Sequence, residues 1–308
     1  LESLSVPKAF SASQTVPEQW YTGSLFSPSP AETKAGALAV EPYFQGAVPS
    51  GRFDAQGEIR PVTAQRSVSQ YTLIKYGLTD RLSIYSLPTF SYGWGKGQSS
   101  TGVKFNDLPI ELHYNILTAR PARYRPSVTS YLGFIAPTGN YSGLSQFQNG
   151  VGQGVWFLRF GFQSQSVYRL MGHAARLRIW GVGRQPLTTA HLHDITSYGT
   201  STGFSGTAHP GTFGNEGASF EYGLTKRWVM SLDLYGTWAG STELTGKYRK
   251  TSQVVYTRSS WSGSYNLGPA MEYNWSPAMG FIGGVIVPFT GHNASRAIMP
   301  EVAVNMVF

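Results

Sequence analysis

The sequence has no cysteine among its 308 residues. That excludes a disulfide framework and thiolate metal sites. Charge is scarce as well: Asp, Glu, Lys and Arg make up 13% of the chain, against about 25% in an average soluble domain. No stretch approaches the ~20 apolar residues of a membrane helix, and the longest apolar run, Met279–Phe289, is interrupted by glycines. Several catalytic signatures are missing too. There is no phosphate-cradling GxxxxGK(S/T) loop, no HExxH zinc helix and no GxSxG nucleophile elbow. The net charge of +8 is spread along the chain without a dense basic run, which argues against nucleic acid and suits solvated loops or contact with anionic lipopolysaccharide. No signal peptide is visible at Leu1–Phe10, so an exported form is expected to have been processed already.

What the chain does contain is glycine and aromatic residues: 36 Gly, 18 Tyr, 17 Phe and 8 Trp, at an ordinary mean hydropathy of −0.18. A chain that is half lipid-facing and half lumen-facing has this profile, because every second residue of a membrane strand is polar. With no apolar helix, closed strands are the remaining way to satisfy the backbone within a bilayer. The last eleven residues show the alternation well. Ile298, Val302, Val304, Met306 and Phe308 are apolar, while Glu301, Ala303 and Asn305 fall between them. Ending on an aromatic residue, this stretch resembles the C-terminal strand through which the barrel-assembly machinery recognises its clients.

An internal repeat sets the beat. Lys75–Leu82 (KYGLTDRL) matches Glu221–Trp228 (EYGLTKRW), and each joins an incoming alternating strand to an outgoing one. Gly, Thr and Asp are turn-forming there because Gly adopts positive φ and the others bond the local backbone. Looser relatives begin at Tyr114, Tyr168 and Tyr273. The five turns recur at a spacing that holds two strands of ~10 residues, a short turn and a longer opposite loop. The expectation is an all-β, antiparallel, up-and-down transmembrane barrel of about twelve strands, residues 37–308, with both termini periplasmic. A propeller would need four strands in each repeat of this length.

The apolar face sets the register. Leu82, Ile84, Leu108, Ile110, Leu112, Trp228, Met230, Leu232 and Leu234 would face lipid, and the Tyr before each turn, with Trp228, Trp275 and Phe308, would form an aromatic girdle. Glu41, Lys75, Asp107, Glu111, Arg159, Arg178, Glu221, Asp233, Glu272 and Glu301 all fall on the opposite parity. They are the candidate pore lining, with Lys75, Glu111, Glu221, Glu272 and Glu301 expected as a charged belt. Such a belt selects solutes; the competing reading is that acids and bases pair to fill the barrel or hold the N-terminal segment. Leu1–Gly36 does not alternate, and is expected to enter the lumen and narrow the pore.

Two enzymatic or metal readings are weak. His191 and His193 stand two apart on one strand face, a spacing that suits a metal, but no further ligand cluster accompanies them, so neither metal nor cofactor is expected. A barrel lipase would need a Ser and His at the outer membrane edge, and none of His113, His173, His209 or His292 has an evident Ser partner.

Four segments carry a family likeness: Ser29–Tyr43 (SPAETKAGALAVEPY), Tyr76–Leu82 (YGLTDRL), Asp107–Leu112 (DLPIEL) and Tyr131–Gly139 (YLGFIAPTG). They resemble the outer-membrane channel family named for the meta-pathway of phenol degradation. The resemblance implies a monomeric channel without catalytic residues, passing small or hydrophobic solutes, aromatic compounds among them, inward across the outer membrane. Lipid and lipopolysaccharide would be its surroundings. A hydrophobic-substrate transporter, marked by a break in strand pairing or a greasy pocket, and a lipid-acting enzyme stay open as alternatives.

Overall fold

The computed structural model describes residues 16–28, 33–63, 65–120 and 125–308. Leu1–Thr15 and Ser29–Glu32 of the N-terminal segment lie outside them. The first third of the chain forms β1 (Leu38–Phe53), short β2 (Ile59–Arg60), β3 (Arg66–Gly77), β4 (Leu82–Ser86), β5 (Thr89–Gly95), and short β6 (Gln98–Ser99) and β7 (Lys104–Phe105). The middle holds β8 (Leu108–Leu117), β9 (Ser127–Ala136), β10 (Phe157–Leu170), β11 (His173–Pro186), β12 (Ala190–His193) and β13 (Phe204–His209). The remainder is β14 (Phe213–Gly223), β15 (Trp228–Ala239), β16 (Glu243–Tyr248), β17 (Val254–Arg258), β18 (Ser262–Ser276), β19 (Met279–His292) and β20 (Ser295–Val307). No α-helix occurs among the described residues.

Each long strand pairs antiparallel with its neighbours, and β1 pairs with both β3 and β20, which closes the sheet. Because β4 and β5 both lie against β3, they are two halves of one wall strand. The result is a twelve-stranded antiparallel barrel. Its parity follows the sequence alternation. On β15, Val229, Ser231, Asp233 and Tyr235 are buried, whereas Trp228, Met230, Leu232 and Leu234 are exposed. The same holds on β8, where Glu111, His113 and Asn115 are buried and Ile110, Leu112 and Tyr114 face out. An exterior this apolar matches lipid and is poorly matched to water. Leu232→Arg on that face is expected to destabilise the barrel by about 2–4 kcal/mol, measured by urea titration of the protein folded into vesicles; an unchanged midpoint would mean that position 232 does not face lipid.

The repeated turns share one hydrogen-bond scheme. Thr79 Oγ1 accepts from the N–H of Arg81 and Leu82 at 3.2 and 2.9 Å; Thr225 Oγ1 accepts from Arg227 and Trp228 at 3.3 and 3.1 Å. Between β10 and β11 the turn is two residues, Met171 and Gly172, both at positive φ (49° and 87°), as the right-handed twist of a tight hairpin demands. These turns share one end of the barrel with the start of β1 and the end of β20, where Leu38 and Phe308 exchange backbone hydrogen bonds.

The opposite end carries structure that the polar composition of residues 186–213 and 241–260 did not suggest. Strands β12, β13, β16 and β17 form a separate four-stranded sheet. Its apolar face, with Leu192, Phe204, Ala208 and Leu244, packs on Val155 and Phe157. Asp194 accepts the Gly203 N–H at 2.8 Å, and that bond, with His193 beside it, lowers the Asp194 pKa below the usual carboxylate value.

Among the described residues the wall is interrupted between β4 and β5. The β4–β8 ladder ends at Ser86 opposite Ile110, and the chain resumes as β5 at Thr89, which runs against the short β7. Leu87 and Pro88 therefore lie outside the ladder, with Asp107–Pro109 across from them. Neither proline has an N–H to donate. Only side-chain and flanking bonds bridge the interruption: Ser86 Oγ to the Pro109 carbonyl at 2.9 Å, and Asn106 N–H to the Thr89 carbonyl at 2.9 Å.

Candidate functional site

Inside the barrel the segment 16–28 lies against the wall. It starts at the turn end, where the Trp20 N–H donates to the Lys226 carbonyl (3.2 Å) and Glu18 pairs with Lys226 at 2.9 Å. Further in, the Thr22 and Gly23 N–H groups both donate to Glu272 Oε2, at 2.7 and 3.2 Å. The Phe26 N–H donates to Asp233 Oδ2 at 3.0 Å, and Arg178 donates to the Ser27 carbonyl at 3.1 Å. Side chains follow the same path. Leu25 is buried among Ile282, Ile286 and Ala270, and the Phe26 ring stacks on Tyr235 with centroids 3.9 Å apart. The inner face of β19 makes this approach possible. A Cβ on Gly284 would stand 2.7 Å from the Leu25 side chain, and one on Gly280 would strike Thr22.

Of the charged residues singled out by parity, Glu41, Lys75, Glu111, Arg178, Glu221, Asp233, Glu272 and Glu301 are buried on the inner face. Arg159 faces the same way with its side chain 14% exposed. Asp107 belongs to the link before β8, where its two oxygens accept the Gly139 and Gln153 N–H groups at 2.9 and 2.7 Å. Direct contacts gather several of these groups into clusters. Glu221 binds Arg176 through two bonds and lies 3.4 Å from Arg178; Arg176 in turn sits 3.9 Å over the Tyr21 ring. Glu301 accepts from Gln45. Away from that group, Glu111 is bonded to Arg159 and to His113 (3.0 Å), and the His113 ring lies between Tyr85 and Tyr131, 4.9 and 4.8 Å away. Arg176, Arg184, Trp180 and Tyr235 are inner-face residues that the sequence reading left out. The arginines share the parity of Arg178, so the alternation already pointed to them.

Between the clusters and the four-stranded cap is a cavity of about 590 Å³, within the ordinary range for small-molecule sites. Leu87, Pro109, Ile135, Phe157 and Phe213 give it apolar lining, and Asp107, Arg159, Arg184 and Asn215 give it polar lining. It reaches the wall at the interruption beside Leu87. His191 and His193 lie far from this chemistry, exposed on β12, with His193 Nδ1 3.5 Å from Asp194.

This architecture has a counterpart among solved structures. An outer-membrane channel from Pseudomonas putida F1 superposes with a TM-score of 0.64 at 16% identity, over 92% of this chain and 99% of that one. A mutant of the TodX monoaromatic hydrocarbon channel matches at a TM-score of 0.48 and 10% identity, over 94% of each chain. No family model and no curated relative matches the sequence. The likeness is one of fold: a closed antiparallel barrel of the outer-membrane type.

Proposed function

We propose that this chain is a bacterial outer-membrane channel for uptake of small, largely apolar molecules. The observation that carries the reading is the 590 Å³ cavity, whose lining includes Leu87 and Pro109 where the wall ladder is interrupted, inside a barrel with a lipid-matched exterior. The Pseudomonas putida channel of the same fold supports membrane residence and transport as the general role. Two features favour an apolar solute over hydrophilic diffusion. Residues 16–28 lie along the inner wall and occupy its hydrogen-bonding groups, Glu111 and Glu221 are paired with arginines, and Glu272 and Asp233 accept from that segment. In this reading Glu41, Lys75, Asp107, Glu111, Arg159, Arg178, Glu221, Asp233, Glu272 and Glu301 line the lumen as fixed structure around the path. A closed ring within one chain needs no second copy, so the channel works as a monomer, embedded in lipid and lipopolysaccharide. The short turns and both termini face the periplasm, and β20, ending on exposed Phe308, is the strand the assembly machinery reads.

Proteoliposomes test this directly. Toluene or a similar aromatic is expected to reach an enclosed reporter faster than through protein-free vesicles, while swelling in arabinose stays slow. Swelling as rapid as that of a general porin, with no gain for the aromatic, would overturn the apolar-solute reading.

A further inference from the structure

The cavity lining also brings two like charges together. Arg159 on β10 and Arg184 on β11 are direct cross-strand partners, and both point inward. Like charges directly opposite one another destabilise a sheet. Arg159 is matched by Glu111. Arg184 has no carboxylate within 4.0 Å among the described residues; its guanidinium instead lies 5.1 Å over the Phe213 ring. The acids nearby are already committed. Both oxygens of Glu111 are taken, by Arg159 and His113, and both oxygens of Asp107 accept backbone N–H groups. Arg159 Nε is buried without a hydrogen-bond partner. Two guanidinium groups therefore have donor capacity left over, next to an apolar wall.

We propose that this pair is a subsite for the carboxylate of an amphipathic, preferably aromatic, acid, whose ring lies against Phe157, Phe213 and Ile135. The inference rests on the uptake reading above and names its substrate class. A planar carboxylate fits the planar guanidinium fork through two parallel bonds, and its charge relieves the repulsion between the two arginines. The aromatic wall disfavours inorganic anions, which have nothing to bury there. An alcohol of the same shape gains the wall contacts but not the charge-assisted bonds, and an amine is repelled.

The test is equilibrium dialysis of radiolabelled cinnamate against the full chain folded into vesicles, with protein-free vesicles as the blank. Saturable binding at one site is expected. Cinnamyl alcohol should bind at least tenfold more weakly, and inorganic phosphate should not compete. Arg184→Gln should weaken cinnamate at least tenfold and leave the alcohol unchanged, whereas Arg184→Lys should retain part of the cinnamate affinity. Folding of each variant is checked by its compact mobility in unheated SDS gels. If Arg184→Gln does not fold, the comparison of acid with alcohol on the unaltered protein decides alone. Equal binding of acid and alcohol, or full cinnamate binding by folded Arg184→Gln, overturns the subsite. Specific cinnamate binding without transport of any aromatic would leave the subsite standing and sink the uptake reading. Transport of neutral aromatics with no preference for the acid would do the reverse.

Discussion

Deleting Leu1–Pro28 is expected to raise single-channel conductance several-fold in planar bilayers and to lower the thermal stability of the barrel. The described part of this segment contributes on two counts. Its backbone N–H groups satisfy Glu272 and Asp233, and its Ser27 carbonyl satisfies Arg178. Its side chains cover apolar wall, with Leu25 at 2% exposure against Ile282 and Ile286. Burying a side chain of that size stabilises by about 1.5–3 kcal/mol, so Leu25 and Phe26 together anchor the segment firmly. Once they are gone, the buried charges face water and their electrostatic hold on one another weakens, which leaves a wider, wetter path. A steady conductance identical to that of the full chain, from protein shown to be folded, would mean that the segment does not limit the passage.

The second large effect concerns the ion pairs of the inner wall. Glu221→Leu is expected to destabilise the barrel by about 3–5 kcal/mol, because it strands two buried guanidinium groups, Arg176 and Arg178, without their shared carboxylate. Adding Arg176→Met should recover part of that loss, since it removes one of the two stranded charges and leaves only Arg178 without its carboxylate. Urea unfolding of the three proteins in vesicles separates these cases. A single variant as stable as the original would show that the lumen hydrates these charges well enough for the pairing to be incidental.

Much of the wall was legible in the sequence because its code is local. Every strand states its own inside and outside through residues two apart, and one misplaced charge on the lipid face is costly enough to keep that statement clean. The turns were legible for a similar reason: the Thr of each YGLT sequence bonds residues only two and three positions ahead. What stayed hidden depends on distant pairing. Thr207 of the cap lies opposite Thr245, with two full barrel strands between them in the chain, and no short-range pattern records that meeting. The N-terminal path was suggested by a lack of alternation, but the partners of Trp20 and Phe26, Lys226 and Tyr235, are named by no spacing. The site was half readable. Parity singles out Arg184 as readily as Arg178, yet its lack of an acid partner is a property of neighbouring strands. The interrupted ladder beside Pro88 and Pro109 emerges only from the register of neighbouring strands.

The seam of the barrel carries a consequence for its birth. Ala39 on β1 is opposite Val307 on β20, so closing the ring joins the first and the last wall strand, and loop-closure entropy opposes that pairing more than any hairpin. Until the final strand has been delivered, the nascent sheet keeps two unpaired edges, each a template for another chain. The stretch that ends up against Glu272 and Asp233 precedes all of this in the polypeptide. It is already on hand while the sheet curls, and can be enclosed by the growing wall without having to thread a finished ring.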